Sequence, residues 1–181
     1  MKKLISLILI VTMMTAMAGC GEKKAEAGSV YEDTTAVLSA VTSNMTEFPS
    51  FGGNMSSPVE NAPGKLDVTD TDTMTSMLLL PEDIQKAVTE VSTQVHMMNS
   101  NTFTSAALKL DGMDLREAAN SLEAAAKGTQ FMCGMPDGMV IAAIDGYLVY
   151  AYGITVNIDV FRQNIEGIEG AEILVDCFFE V

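Results

Sequence analysis

The chain has 181 residues, of which 48% are hydrophobic and 6% aromatic, with no tryptophan. Ten basic residues stand against 24 acidic ones, a formal charge of −14 at pH 7. Such a surface repels phosphate backbones, which argues against nucleic acid as a partner, and the shortage of aromatic rings leaves a sugar-stacking cleft poorly supplied.

The chain opens on a short positive region, Lys2 and Lys3, followed by an uncharged apolar run from Leu4 to Gly19. That run is shorter than the ~20 residues a membrane-spanning helix needs, and its flanks fit an export signal. It ends in Met17-Ala18-Gly19-Cys20, small residues before a cysteine, which has the form of a lipobox. The expectation is a lipoprotein signal peptide over residues 1–19 and fatty acylation, palmitate included, of Cys20. Two acyl chains on one sulfur meet the requirement for stable anchoring. The partner implied is the cell membrane, reached through lipid on its extracytoplasmic face. Without Lys2 and Lys3 the basic residues fall to 8 against 24 acidic ones, a formal charge of −16, so lipid headgroups give no electrostatic help. Residues 20–29 then read as a flexible tether that reaches ~30 Å when extended. One domain over 30–181 follows, long enough for a core of its own.

Val30, Val37, Leu38, Val41 and Met45 recur at helical spacing and predict a helix over about 30–46. Residues 47–66 hold three Pro and three Gly and read as a long irregular loop, pinned to the core by Phe48 and Phe51. Asp70 or Thr71 can cap a short helix over about 72–79, stopped before Pro81. The acidic spacing Asp67, Asp70, Asp72 lacks the glycine and distal glutamate of a calcium loop. Residues 82–98 fit either a helix or a strand; the β-branched run "VTEVSTQV" favours a strand over about 86–95. A clearer strand spans 102–110 and turns at Asp111-Gly112.

"DLREAANSLEAAAKG" predicts a helix with Asp114 as N-cap, Glu117 at N3 and Gly128 as its stop. Three strands follow: "TQFMC", "MVIAAI" and "YLVYAYG", with turns at 135–138 and at Asp145-Gly146, the latter a type I′ hairpin signal. The last of these is apolar on both faces, Tyr147, Val149 and Ala151 on one and Leu148, Tyr150 and Tyr152 on the other, which places it mid-sheet. A helix capped by Asn157, with a Val156–Phe161 staple, runs to Gly167. A final strand aligns Ile173, Val175, Cys177, Phe179 and Val181 on one face. The fold class is α+β: a mostly antiparallel sheet of about five to six strands with two or three packed helices.

The segments "HMMNSNTFTSAALKLDGMD" and "QFMCGMPDGMVIAAIDGYLVYAYG" carry a resemblance. The positions are Met97, Met98, Asn99, Phe103, Phe131, Cys133, Gly134 and Pro136, and over roughly 80–181 the chain resembles a family of lipoproteins of clostridia and related gut Firmicutes. Their common domain has no assigned function. The resemblance implies a single anchored domain and no reaction; relatives often carry Trp where Phe131 stands.

Residues able to carry chemistry are few. Walker, dinucleotide, "HExxH", "CxxC" and "GxSxG" motifs are missing from the sequence, and no cofactor, metal or catalytic set is expected. Cys133 and Cys177 either form a disulfide or behave as buried thiols. Cys133 with His96, the only histidine, is the one conceivable thiol–imidazole pair. Ten methionines remain after the signal, and "HMM" with "MCGM" would offer soft sulfur ligands to Cu(I) if the fold made them converge. The leading expectation is a surface-anchored binding or accessory module for an unknown small molecule or protein. Its candidate surface comprises the 47–66 loop with Phe51, Asn99, Asn101 and Tyr150. The alternatives are a thiol-dependent or hydrolytic enzyme and a soft-metal-binding lipoprotein.

Overall fold

The structure is a computed structural model, and it describes residues 29–45 and 48–179. The signal, Cys20 and all of the tether but Ser29 lie outside those residues, as does Val181.

Helix α1 (Thr34–Val41) starts where Asp33 accepts a hydrogen bond from the Ala36 amide at 2.8 Å. It is shorter than its apolar pattern suggests at both ends: the Val30 and Tyr31 amides bond the Asp145 carboxylate, Asp33 is the N-cap, and Thr42 is already the C-cap. The 47–66 region is not a plain loop. It contributes three short strands, β1 (Ser50–Gly52), β2 (Val59–Glu60) and β3 (Gly64–Leu66). Gly52 and Gly64 let two of them meet backbone to backbone: a Cβ on Gly52 would lie 2.3 Å from the Gly64 nitrogen. Asp70 caps α2 (Thr71–Ser76), as its position suggests, by accepting from the Thr73 amide.

Residues 82–98 are both things the sequence allows: helix α3 (Glu82–Ala87) runs directly into strand β4 (Val88–His96). Strand β5 (Phe103–Leu110) returns beside it. Helix α4 (Leu115–Gly128) is capped by Asp114, which accepts from the Arg116 and Glu117 amides. Gly128 ends it inside the last turn, not as a left-handed stop; Thr129 is the C-cap. Strands β6 (Gly138–Ile144) and β7 (Tyr147–Gly153) form the expected hairpin, with Asp145 (φ 52°) and Gly146 (φ 84°) both left-handed in its turn. Helix α5 (Thr155–Glu166) and strand β8 (Glu172–Phe178) complete the chain.

The fold is α+β, with eight antiparallel strands and five helices among the described residues, more of each than the sequence suggests. The sheet order is β2-β1-β4-β5-β7-β6-β8, and β3 shares the outer edge of β4 with β1. Strand β7 lies inside the sheet as its two apolar faces require. Leu148, Tyr150 and Tyr152 join the core beneath α2, α3 and α4, and Tyr147, Val149 and Ala151 join the core beneath α1 and α5.

Three local expectations fail for identifiable reasons. Residues 129–133 do not form the expected strand; at their end the Cys133 and Gly134 carbonyls accept from the Asn99 and Asn101 side chains and not from a neighbouring strand. Asn157 does not cap α5; it lies inside the helix and donates to the Thr102 carbonyl, while Val156 is largely exposed and staples nothing. The N-terminus of α5 is capped instead by Asp137, whose Oδ2 accepts from the Thr155 amide at 2.7 Å and its hydroxyl at 2.9 Å. In β8 the register shifts between Ile141↔Val175 and Ala142↔Ile173, so Leu174 is an extra residue. That bulge breaks the alternation: Ile173 packs on the α1/α5 core, and Val175, Cys177 and Phe179 on the other.

Candidate functional site

The β4–β5 connection carries "MMNSN" and the segment after α4 carries "TQFMCGM". The fold brings them together at the end of the sheet where β4 and β7 finish. Asn99 Nδ2 donates to the Cys133 carbonyl at 3.1 Å, and Asn101 Nδ2 to the Gly134 carbonyl at 2.7 Å. Asn99 Oδ1 in turn accepts from the Asn101 amide at 2.9 Å, which holds both side chains in place. Two carboxamides thus do the work of a neighbouring strand. Gly134 adopts φ 96°, a conformation other residues rarely take, and turns the chain there.

Beside this strap lies a pocket of about 430 Å³, lined by Met98, Met132, Cys133 and Phe131 and by polar residues that include Asn99, Asn101 and Gln130. Tyr152 and Leu79 also line it. Phe131 packs 5.9 Å from both Tyr152 and Phe179, tying the strap to the core. The rest of the segment faces outward. Met98 is 81% and Met132 91% exposed, and the Cys133 thiol is exposed too. No Lys, Arg, His, Asp or Glu is among the residues lining the pocket.

Of the surface residues suggested by sequence, Asn99 and Asn101 are at this pocket. Phe51 and Tyr150 are not surface residues: Phe51 is buried in β1, and Tyr150 is completely enclosed, its hydroxyl donating to the Leu78 carbonyl at 2.7 Å. Burial pushes the Tyr150 hydroxyl well above its ordinary pKa, so it titrates far from neutrality. The alternating pattern of β7 shows both faces apolar, and apolar on both faces means covered on both; Tyr150 belonged with the core on that ground.

Cys133 and Cys177 are free thiols, and burial raises the pKa of the half-buried Cys177. His96 stacks on Phe48 with centroids 5.0 Å apart, and its Nδ1 accepts from the Met98 and Asn99 amides at 3.1 and 3.2 Å. That nitrogen is committed to shaping the loop. Among the described residues no hydrogen bond joins His96 to Cys133, and His96 does not line the pocket. The acidic run is committed as well: Asp67 accepts from the Thr69 amide and hydroxyl, and Asp70 from those of Thr73. Among the described residues no group of three His, Cys, Asp or Glu side chains is arranged to hold a metal ion.

At the opposite end of the sheet the β6–β7 turn receives the incoming chain. Asp145 Oδ2 accepts from the Ser29 hydroxyl and the Val30 and Tyr31 amides at 2.7, 2.6 and 3.1 Å. The Ser29 hydroxyl and these amides hold the Asp145 carboxyl below its usual range.

No protein-family model matches the chain, and no curated protein and no solved structure matches it either. Among the described residues no helix is long and apolar enough to cross a membrane.

Proposed function

We propose that this chain is an extracytoplasmic lipoprotein, anchored through Cys20, whose domain is a binding module working through the Met98–Cys133 pocket. The observation that carries the binding role is the strap. Two asparagines hold residues 133–134 by their carbonyls, and Met98, Met132 and Cys133 are left uncovered around one opening. Large apolar side chains exposed together around a concavity mark interaction sites more often than idle surface.

The anchor rests on the Met17–Cys20 lipobox and the apolar run before it. The chain enters the domain at the Asp145 turn, and the pocket lies past the other end of β7. At ~3.3 Å per residue the seven residues of β7 separate the two by about 20 Å. A tether leading to the membrane on one side would leave the pocket facing outward. The thiol-enzyme reading has less support, since His96 Nδ1 already accepts two amides.

The test has two arms. Cys20→Ser is expected to move the protein from the membrane to the soluble fraction, and a membrane fraction unchanged by the substitution would refute the anchor. A ligand screen with methyl-¹³C methionine is expected to find compounds that shift the Met98 and Met132 methyl signals and leave Met55 unmoved. Ligands that bind elsewhere with both signals static would refute the pocket.

A further inference from the structure

Resting on that pocket, we infer that its ligand is a soft monovalent metal ion, Cu(I) in oxidation state and preference, held by Met98, Met132 and Cys133. The sequence places Met98 and Met132 34 positions apart and leaves the convergence of their segments open. The fold brings the segments together: Met98 of the β4–β5 connection and Met132 of the strap line the same opening as Cys133. A sphere of the pocket's volume is about 9 Å across, and the unbranched, flexible side chain of methionine adapts readily to irregular spaces of that size.

The donor set selects the metal. Thiolate and thioether ligands favour Cu(I), whereas Ca²⁺, Mg²⁺ and Mn²⁺ are held by oxygen ligands with carboxylates among them, and the side-chain oxygens of this lining are all uncharged amides and hydroxyls. The pocket lining supplies no carboxylate and no imidazole, so Zn²⁺ lacks a set of its own there. It also supplies no Lys or Arg to repel a cation. Neither thioether is packed into the core, since Met98 and Met132 are among the most exposed apolar residues of the domain. Closing them on an ion therefore breaks no existing packing. Binding forms a metal–sulfur bond at Cys133, its thiol proton passes to solvent, and the single positive charge is neutralised by the thiolate. The two thioethers add neutral donors, and no electron is transferred.

Ag(I), redox-inert and of the same charge and preference, is the probe. It is titrated into the reduced, detergent-solubilised full chain carrying methyl-¹³C methionine, in chloride-free buffer. The expected result is saturation at one equivalent with the Met98 and Met132 methyls shifted and Met55, which is exposed but remote in sequence, unchanged. Competition with a chromogenic Cu(I) chelator is expected to give an affinity that falls at least about tenfold in Cys133→Ser and in Met132→Leu. Both positions are exposed, so the fold tolerates them, and unchanged thermal midpoints of the metal-free variants check this. Equal shifts at Met55, Met98 and Met132, or an affinity indifferent to both substitutions, overturns the inference. If Ag(I) moves neither methyl but an organic ligand does, the metal is wrong and the pocket stands. If nothing moves them, both readings fall.

Discussion

Tyr150 and Asn99 show how differently two polar side chains serve this domain. The Tyr150 hydroxyl is enclosed and satisfies the Leu78 carbonyl at the bend between α2 and α3. Tyr150→Phe leaves that carbonyl unpaired in a dry place, and a loss of about 1–2 kcal/mol is expected in urea denaturation. Asn99 is only half-buried, and its carboxamide holds the strap and not the core. Asn99→Ala is expected to move the urea midpoint little and to speed amide hydrogen exchange across residues 131–135. Equal protection in both proteins would mean that Asn101 and Phe131 hold the strap unaided. Gly134 is the third telling residue. A Cβ there meets open space, so Gly134→Ala suffers from its φ of 96° alone. A cost on the order of 1–2 kcal/mol is expected, concentrated in the strap. A variant as stable as the parent and with unaltered pocket methyls would show that the turn is not set by this glycine.

At the scale of elements, α1 is locked to the sheet by one charged cluster. Lys65 on β3 lies 3.0 Å from Asp33 and 3.1 Å from Glu90 of β4. Glu90 Oε1 also accepts from the Thr34 amide and hydroxyl. The Ala36 amide and Lys65 lower the Asp33 pKa. For Glu90 burial is the largest influence and acts upward, but Lys65 and Thr34 together outweigh it and the net shift is downward. Carboxylates with depressed folded pKa values contribute stability above their unfolded values and lose it as pH falls through the folded ones. The urea midpoint is therefore expected to hold down to about pH 4.3 and to fall below it, and to fall less steeply in Asp33→Asn. Parallel curves for the two proteins would remove the cluster from that role.

Elements also mark where the sequence was legible. The N-caps of α2 and α4 are local, so Asp70 and Asp114 stand where the chain itself points, whereas the apolar spacing from Val30 onward started α1 too early and hid Asp33 as its cap. The β6–β7 hairpin was equally plain, since Asp-Gly suits its two left-handed residues. The cap of α5 was hidden because Asp137 reaches it from 18 residues upstream. The strap reads as a strand by composition, and only the fold reveals that Asn99 and Asn101 have taken two of its carbonyls, those of Cys133 and Gly134. The Leu174 bulge likewise has no signature in a run of uninterrupted apolar residues. Of the site, the asparagines and both sulfur segments were visible one by one. Their meeting was not, because it depends on the β4–β5 and α4–β6 connections ending at the same end of the sheet.

The whole molecule has two ends. One receives the chain at Asp145 and the other presents the strap, with a sheet covered by helices on both faces between them. A cysteine exposed at the second end makes this arrangement directly measurable. Intact protoplasts treated with a membrane-impermeant maleimide are expected to label Cys133 at once and the half-buried Cys177 far more slowly, with Cys133→Ser removing the fast phase. Labelling of Cys133 that appears only after lysis would contradict an anchored domain holding its pocket open to the outside.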